Sequence, residues 1–276
     1  MSELISAHSN PTVKLIRSLR QKKGREESGL FLAEGISHCG EAIEAGWEIE
    51  MLVVAPDLLT SEFAHQLLEK ATRQNIRIVR VSADVFTRLA EKENPQGILA
   101  IAHQRFAHPN DLTPENFPWG AACVSPQDPG NIGTILRTLD AVGAAGLFLL
   151  EGGADPFHPS AVRASMGAIF WKPVVQATFA EFTHWCRRHG YLLIGSSAHA
   201  SRDYREYQRG RQPAILLLGS EQKGLSAEHL AACDITLSLP MRGRISSLNL
   251  AIAAGILLYQ MEFGTNKTGD SIARQR

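Results

Sequence analysis

Residues 246–260 read SSLNLAIAAGILLYQ, and ten of them in a row, Leu250 to Tyr259, carry no charge. Apolar side chains on every side of a helix predict that the helix is buried. Ser246 or Ser247 is the expected N-cap, and no proline interrupts the apolar run. Gly255 falls in mid-helix, where glycine costs about 1 kcal/mol against alanine. That cost predicts another backbone passing close by. The polar start of the helix, Ser247 and Asn249, then either caps a core helix or faces a site. The residues before the helix bear on that choice.

The helix closes the third of three stretches with one grammar: apolar strand, polar loop, helix. The first is AACVSPQDPGNIGTILRTLDAV, with a strand at 121–125 and a helix over 132–142. Ile132, Ile135, Leu136 and Leu139 sit at i, i+3, i+4 and i+7, so they form its buried stripe. Asn131 is the expected cap. Arg137 falls off the stripe and faces solvent, substrate or a partner. The second stretch is AILLLGSEQKGLS, a strand over 214–218 followed by Gly219, Ser220, Glu221 and Gly224, with Ser226 capping the next helix. The third is ITLSLPMRGRISSLN, whose strand spans 235–239. Further strands are expected at 146–150 and 191–195, and helices at 160–168 and 179–189. Strands alternating with helices predict a mostly parallel, covered sheet. In such a sheet the three loops lie together at the carboxyl ends of the strands, where ligands bind. Glycines at 219, 224 and 243 allow close approach of backbone to a ligand.

Several ligands are excluded. No G-x-G-x-x-G follows a strand and no GxxxxGK[ST] is present, so the usual dinucleotide and phosphate-loop readings fail. Neither a metal-binding H-E-x-x-H nor a G-x-S-x-G elbow occurs. The four cysteines, Cys39, Cys123, Cys186 and Cys233, form no CxxC pair, which argues against structural zinc and a disulfide framework. No metal is expected. The start is no signal peptide and no stretch is long enough to span a membrane, so the expected home is a reducing cytoplasm. With 276 residues, 44% apolar, 20% charged and net charge +0, the chain can bury a normal core. Any nucleic-acid site must be a local patch.

The first hundred residues read as a smaller α/β unit. Strands are expected at 29–33, 50–55, 76–81 and 97–102. Helices are expected at 36–45, at 61–73 with Phe63, Leu67 and Leu68 as the apolar stripe, and at 83–90. Ahead of them, NPTVKLIRSLRQKKGR (10–25) places Val13, Ile16 and Leu19 at helical spacing behind an Asn10-Pro11 start. Its cations, including Lys14, Arg17, Arg20, Lys22, Lys23 and Arg25, form either a solvated helix face or a phosphate-contacting arm. The expected division is 1–105, a proline-rich linker at 106–118, a second domain at 119–263 and a polar, disordered tail at 264–276. HASRDYREYQRGR (199–211) mixes arginines, Arg202 and Arg205 among them, with tyrosines. It suits unstacked bases and phosphates, or equally a solvated loop.

At this point a resemblance becomes specific. N-x-G-x-x-x-R (Asn131, Gly133, Arg137), L-G-S-E-x-x-G-L (Leu218 to Leu225) and P-M-x-G-x-x-x-S-L-N-x-x-x-A-x-x-I (Pro240 to Ile256) occur in order. Together they resemble the three motifs of the SPOUT-class, SpoU/TrmH-type RNA ribose 2′-O-methyltransferases, over about residues 119–262. NPxVKxIxxLxxKKxR, FLAEG and PQGILA resemble, more loosely, a ribosomal-protein-like, kink-turn-binding type of substrate domain. The resemblance implies an α/β fold whose C-terminal, mostly parallel sheet carries a deep trefoil knot around Gly219 and Pro240, an exception to unthreaded chains. It implies S-adenosylmethionine as cofactor, contacted around Gly219, Glu221, Gly224, Leu239, Met241, Ser247 and Leu248, and a homodimer. Asn131, Arg137, Glu221, Ser247 and Asn249 would be the catalytic set. Arg137 would serve the 2′-hydroxyl, as base, as alkoxide stabiliser or as a grip on phosphate; arginine normally stays protonated. RASMG at 163–167 also resembles the family and places Arg163 against RNA. Ribosomal RNA is the expected substrate. The alternatives are transfer RNA, a knotted RNA-binding or ribosome-assembly protein without activity, and a dehydrogenase, which the missing glycine fingerprint disfavours.

Overall fold

The computed structural model describes residues 4–91 and 93–264; the expected tail lies, but for Gly264, outside the described residues. The chain divides into two compact units. One runs to Phe106 and takes in Asp128–Arg137 and Ala154–Trp171; the other is Ala107–Gln127, Thr138–Gly153 and the chain from Lys172.

In the first unit, Asn10 caps α1 (Pro11–Leu19) by accepting from the Thr12 amide at 2.9 Å, and Val13, Ile16 and Leu19 are buried. The helix stops at Arg20, and a separate α2 (Lys22–Ser28) follows. Sequence spacing misses α2 because it presents charge all round. Then come β1 (Leu30–Glu34), α3 (Ile36–Glu44), β2 (Ile49–Val54), α4 (Glu62–Arg73), β3 (Ile78–Arg80), α5 (Ala83–Leu89) and β4 (Ile98–His103). The sheet order is β1-β4-β2-β3, with β4 antiparallel to both neighbours and β2 parallel to β3. α4 buries Ala64, Leu67 and Ala71, so of the expected stripe Leu67 is buried, Leu68 is half-buried and Phe63 is not covered. Phe63 is exposed beside Gly40 of α3.

Arg25, expected on a solvated or phosphate-facing surface, is 1% exposed and paired to Asp155 at 2.6 Å. Phe31 of β1 packs on Phe157, with ring centroids 4.7 Å apart. Phe170 meets Trp47 edge-on at 5.3 Å. The segment 154–171, including α7 (Pro159–Ala164), is therefore tied to this unit by an ion pair and by aromatic packing.

The second unit is built on a seven-stranded sheet in the order β7-β6-β5-β10-β8-β11-β9. Its strands are β5 (Trp119–Val124), β6 (Leu147–Leu150), β7 (Val174–Ala177), β8 (Leu192–Ser196), β9 (Arg202–Asp203), β10 (Ala214–Leu218) and β11 (Ile235–Ser238). Every pairing is parallel. β10, AILLL, is buried at all five positions, as the centre of a covered parallel sheet requires. β7 and β9 are not expected from the sequence: four and two residues are too few to display a period. Residues 106–118, expected as a linker, contribute Leu112 and Phe117 to this unit's core.

The helices α6 (Pro129–Ala141), α8 (Phe179–Arg188), α9 (Ala227–Ala231) and α10 (Leu250–Phe263) complete the chain. α10 is not buried all round. Leu250, Ala251, Ala254, Leu257, Leu258 and Met261 face the core, while Ile252, Tyr259 and Phe263 are 55%, 50% and 53% exposed. A Cβ built on Gly255 would meet nothing within 4 Å, so the close backbone expected there is not supplied by the described chain. Among the described residues no helix is long and apolar enough to cross a membrane.

Candidate active site

β10, β8 and β11 are neighbours in the sheet, so the loops leaving their carboxyl ends converge. They line a cleft of about 340 Å³, at the lower end of the usual range for small-molecule sites. β10 contributes the turn Gly219–Leu225, and β11 contributes Leu239, Met241 and Ser246–Leu248. β8 contributes Ser196–His199, and Leu250 and Ala253 come from α10.

Two glycines shape the turn for opposite reasons. A Cβ on Gly219 would lie 2.0 Å from the Gly224 carbonyl carbon and 2.3 Å from the Leu225 nitrogen, so space alone forbids a side chain there. Gly224 has open space but φ of +63°, a left-handed conformation that glycine adopts without penalty. The turn closes where the Gly224 amide donates to the Ser220 carbonyl at 2.9 Å, and Lys223 N donates to Ser220 Oγ at 3.2 Å.

Glu221 reaches from this turn toward β5: its Oε2 accepts from the Gln127 amide at 2.9 Å. Gln127 Nε2 donates to the Ser125 carbonyl at 2.8 Å, and Ser125 Oγ donates to the Glu151 carbonyl at 3.1 Å. Glu151 Oε1 in turn accepts from Phe179 N, at the start of α8, at 2.6 Å. Four adjacent strand ends are thereby joined by one run of hydrogen bonds. Ser125 and Glu151 are held at φ of +44° and +57°. Such conformations are uncommon for residues other than glycine and concentrate at functional sites. Burial, with the Glu221 charge as the lesser cause, pushes the nearby Cys123 thiol up to about 12.

Gly219, Glu221, Gly224, Leu239, Met241, Ser247 and Leu248 all line the one cleft. Asn249, rather than Ser246 or Ser247, is the cap of α10, with its Oδ1 accepting from Ala251 N at 2.9 Å and Ile252 N at 3.2 Å. The two serines precede the helix on the cleft wall. Asn131 does not cap α6, which begins two residues earlier at Pro129. It lies in the first turn, 6% exposed, its amide donating to the Asp128 carbonyl at 3.1 Å. Arg137 projects from the exposed side of α6, off the buried Ile132, Ile135, Leu136 and Leu139. Neither Asn131 nor Arg137 lines the cleft; both belong to the segment 128–137 that groups with the first unit. Gly133 of the same motif lets α6 lie on α7, because a Cβ there would be 2.1 Å from the Ala161 carbonyl oxygen.

Sequence reading misses the β8 loop, Ser196 to His199. Two serines after an apolar strand were the available signal. It also misses Lys223 and Ser246. The cations expected to meet RNA divide. Lys14 and Arg17 are exposed on α1. Lys22 and Lys23 pair with Glu26 and Glu27, each at 3.7 Å. Arg163 is held by Glu91 at 2.6 Å. Arg205 makes two bonds to Asp203, at 2.9 and 2.7 Å, and Arg202 lies 5.5 Å over the Tyr207 ring. Arg20 donates to the Leu89 carbonyl, and Arg209 pairs with Glu262 at 2.8 Å. Among the described residues no group of three or more His, Cys, Asp or Glu could hold a metal ion.

Residues 121–259 match the SpoU rRNA Methylase family, and residues 10–100 match an MRM3-like substrate binding domain. The chain is 34% identical over 251 residues to the 23S rRNA (uridine(2479)-2′-O)-methyltransferase of Streptomyces viridochromogenes, covering 88% of this chain and 85% of the relative. It is 31% identical over 262 residues to the 23S rRNA (guanosine(2553)-2′-O)-methyltransferase of Bacillus subtilis (strain 168), covering 93% and 98%. Among solved structures, the AdoMet-bound rRNA methyltransferase from Sinorhizobium meliloti superposes with a TM-score of 0.85 at 36% identity, over 94% of this chain and 97% of that one.

Proposed function

The chain belongs to the SpoU rRNA methylase family, and on that premise we propose that it transfers a methyl group from S-adenosylmethionine to a ribose 2′-hydroxyl of ribosomal RNA. The observation that carries this reading is the convergence of the second and third motifs on one cleft at the ends of β10 and β11. The cleft suits the cofactor: backbone approaches closely at Gly219, where no Cβ fits, and Glu221 offers a carboxylate to a cationic ligand.

S-adenosylmethionine, when bound, would supply the methyl group from its sulfonium and leave as the neutral thioether, while the receiving hydroxyl would lose its proton to solvent. Gly219, Gly224, Leu239, Met241, Ser247 and Leu248 form the cofactor walls. Arg137 is the residue assigned to the 2′-oxygen. A guanidinium that stays protonated acts there by stabilising developing negative charge or by holding the adjacent phosphate. Asn131, Glu221, Ser247 and Asn249 orient the participants, and positioning of this kind lowers a barrier by roughly 7–11 kcal/mol. Arg137→Ala is expected to abolish transfer while leaving cofactor binding intact. Full activity in that variant would remove Arg137 from the mechanism.

The wider reading is a substrate-binding domain over 1–105, a connector at 106–118 and a methyltransferase domain over 119–263, knotted around Gly219 and Pro240, working in the cytoplasm. Contacts to RNA are assigned to Lys14, Arg17, Lys22, Lys23, Arg163, Arg202 and Arg205. A homodimer is supported by the outward Ile252, Tyr259 and Phe263 and by the open space over Gly255. The test is transfer of labelled methyl to ribosomal and transfer RNA from a strain lacking the gene, with sites mapped by resistance to alkaline cleavage. One labelled position in ribosomal RNA supports the reading. Label confined to transfer RNA changes the substrate, and cofactor binding without label on any RNA favours a binding protein.

A further inference from the structure

The third loop leaves the cleft wall at Met241 and returns to it at Ser246. The four residues between, Arg242, Gly243, Arg244 and Ile245, are all exposed. Lys223, in the turn after β10, is exposed as well and itself lines the cleft. No ion pair joins Lys223, Arg242 or Arg244 to a carboxylate among the described residues. The contrast is with Lys22, Lys23, Arg163, Arg205 and Arg209, each of which has one. In a chain of net charge +0, one cation lining the cleft and two on the exposed loop between wall residues Met241 and Ser246 make a local positive patch.

The chemistry of the cleft decides what the patch serves. Resting on the cofactor assignment above, the small ligand carries a sulfonium and an amino-acid zwitterion, so its net charge is positive. Glu221, on the cleft wall, complements that charge; cations at the lip do not. They suit a polyanion that approaches from outside. We propose that Lys223, Arg242 and Arg244 bind the phosphodiesters flanking the ribose to be methylated, and so act as positioning residues for RNA at the mouth of the cleft. Arginine grips phosphate bidentately, whereas lysine acts as a point charge. Between the two arginines, a Cβ on the exposed Gly243 would meet nothing within 4 Å, so no neighbouring group crowds that position.

The test is filter binding of a full-length 23S ribosomal RNA transcript across a salt series, for wild type, Arg242→Gln, Arg244→Gln, Lys223→Gln and the triple variant. S-adenosylmethionine affinity is measured calorimetrically in parallel. Each neutralised phosphate contact contributes about 0.7 for a single strand to about 0.9 for a duplex to the slope of log affinity against log salt. The triple variant is therefore expected to lose between two and three from that slope, and to show a raised KM for RNA with kcat at saturation little changed. S-adenosylmethionine affinity is expected to stay within about twofold. An unchanged slope in the triple variant, with wild type methylating RNA normally, overturns the assignment. So does a parallel loss of S-adenosylmethionine affinity, which would put these cations on the cofactor's carboxylate. A wild type that binds the cofactor but labels no RNA overturns the functional reading beneath it.

Discussion

Gly219→Ala tests whether the geometry of the turn after β10 shapes the cofactor site. The added methyl carbon would sit 2.0 Å from Gly224 C and 2.3 Å from Gly224 O and Leu225 N, where ordinary contact begins near 3.4 Å. All three atoms are backbone, so no side chain can swing aside. The turn must yield by about 1.4 Å at its tightest point. It is closed by the Gly224-to-Ser220 bond, so the movement spreads to Glu221 and Lys223. Overpacking of this kind costs about 1–3 kcal/mol, and if that cost falls on the liganded geometry it weakens binding roughly 5- to 150-fold. Isothermal titration with S-adenosylmethionine reads the loss, and thermal unfolding shows how much falls on the fold. Gly243→Ala is the internal control, since its Cβ meets nothing; it should bind like wild type. Binding by Gly219→Ala within twofold of wild type, at an unchanged Tm, would refute the claim that this turn is shaped by the Gly219–Gly224 contact.

Asp155→Ala leaves the Arg25 guanidinium, 1% exposed, without its carboxylate; such losses cost about 3–5 kcal/mol. Chemical denaturation should register that loss, and the double variant Arg25→Met with Asp155→Leu should recover much of it. The Thr178 amide and hydroxyl hold the Glu181 carboxyl below its usual range. Its contribution to stability is thus present above the ordinary glutamate range and is lost as pH falls through the lowered folded value. The Tm gap between wild type and Glu181→Gln should accordingly shrink on acidification, and a pH-independent gap would contradict the assignment. Tyr259→Glu, on the exposed side of α10, is expected to shift sedimentation from dimer to monomer without lowering helix content; an unchanged sedimentation coefficient would place the dimer contact elsewhere.

Much of the architecture was legible because the central strands and the longer helices carry a pattern. AILLL and AACV declare buried parallel strands, and the i, i+3, i+4, i+7 set in α6 declares which side of that helix is covered. What failed has a common cause: partners distant in sequence. Arg25 reads as one more cation in a basic run. Its burial follows from Asp155, 130 positions away, and no local pattern reports that. In α4, Phe63 is the largest apolar residue of the expected stripe yet lies exposed, while Ala64 and Ala71 are covered, a tertiary choice that hydrophobicity does not rank.

The site was legible to a different depth in each loop. The turns after β10 and β11 contain glycines and polar residues that serve no strand or helix, and that surplus marked them. The β8 loop carries only serines and a histidine around an alanine, which any surface loop could, so its place in the cleft followed from strand order alone. The cap of α10 illustrates the limit most clearly. Ser246, Ser247 and Asn249 are all capping residues by propensity, and the helix could begin after any of them. Starting it after Asn249 leaves both serines outside the helix, where Ser246 and Ser247 line the cleft. Starting it at Ser247 would give that serine helical backbone angles and wind the cleft wall into the helix. The register of one cap thus decides whether these serines build a helix or the cleft wall.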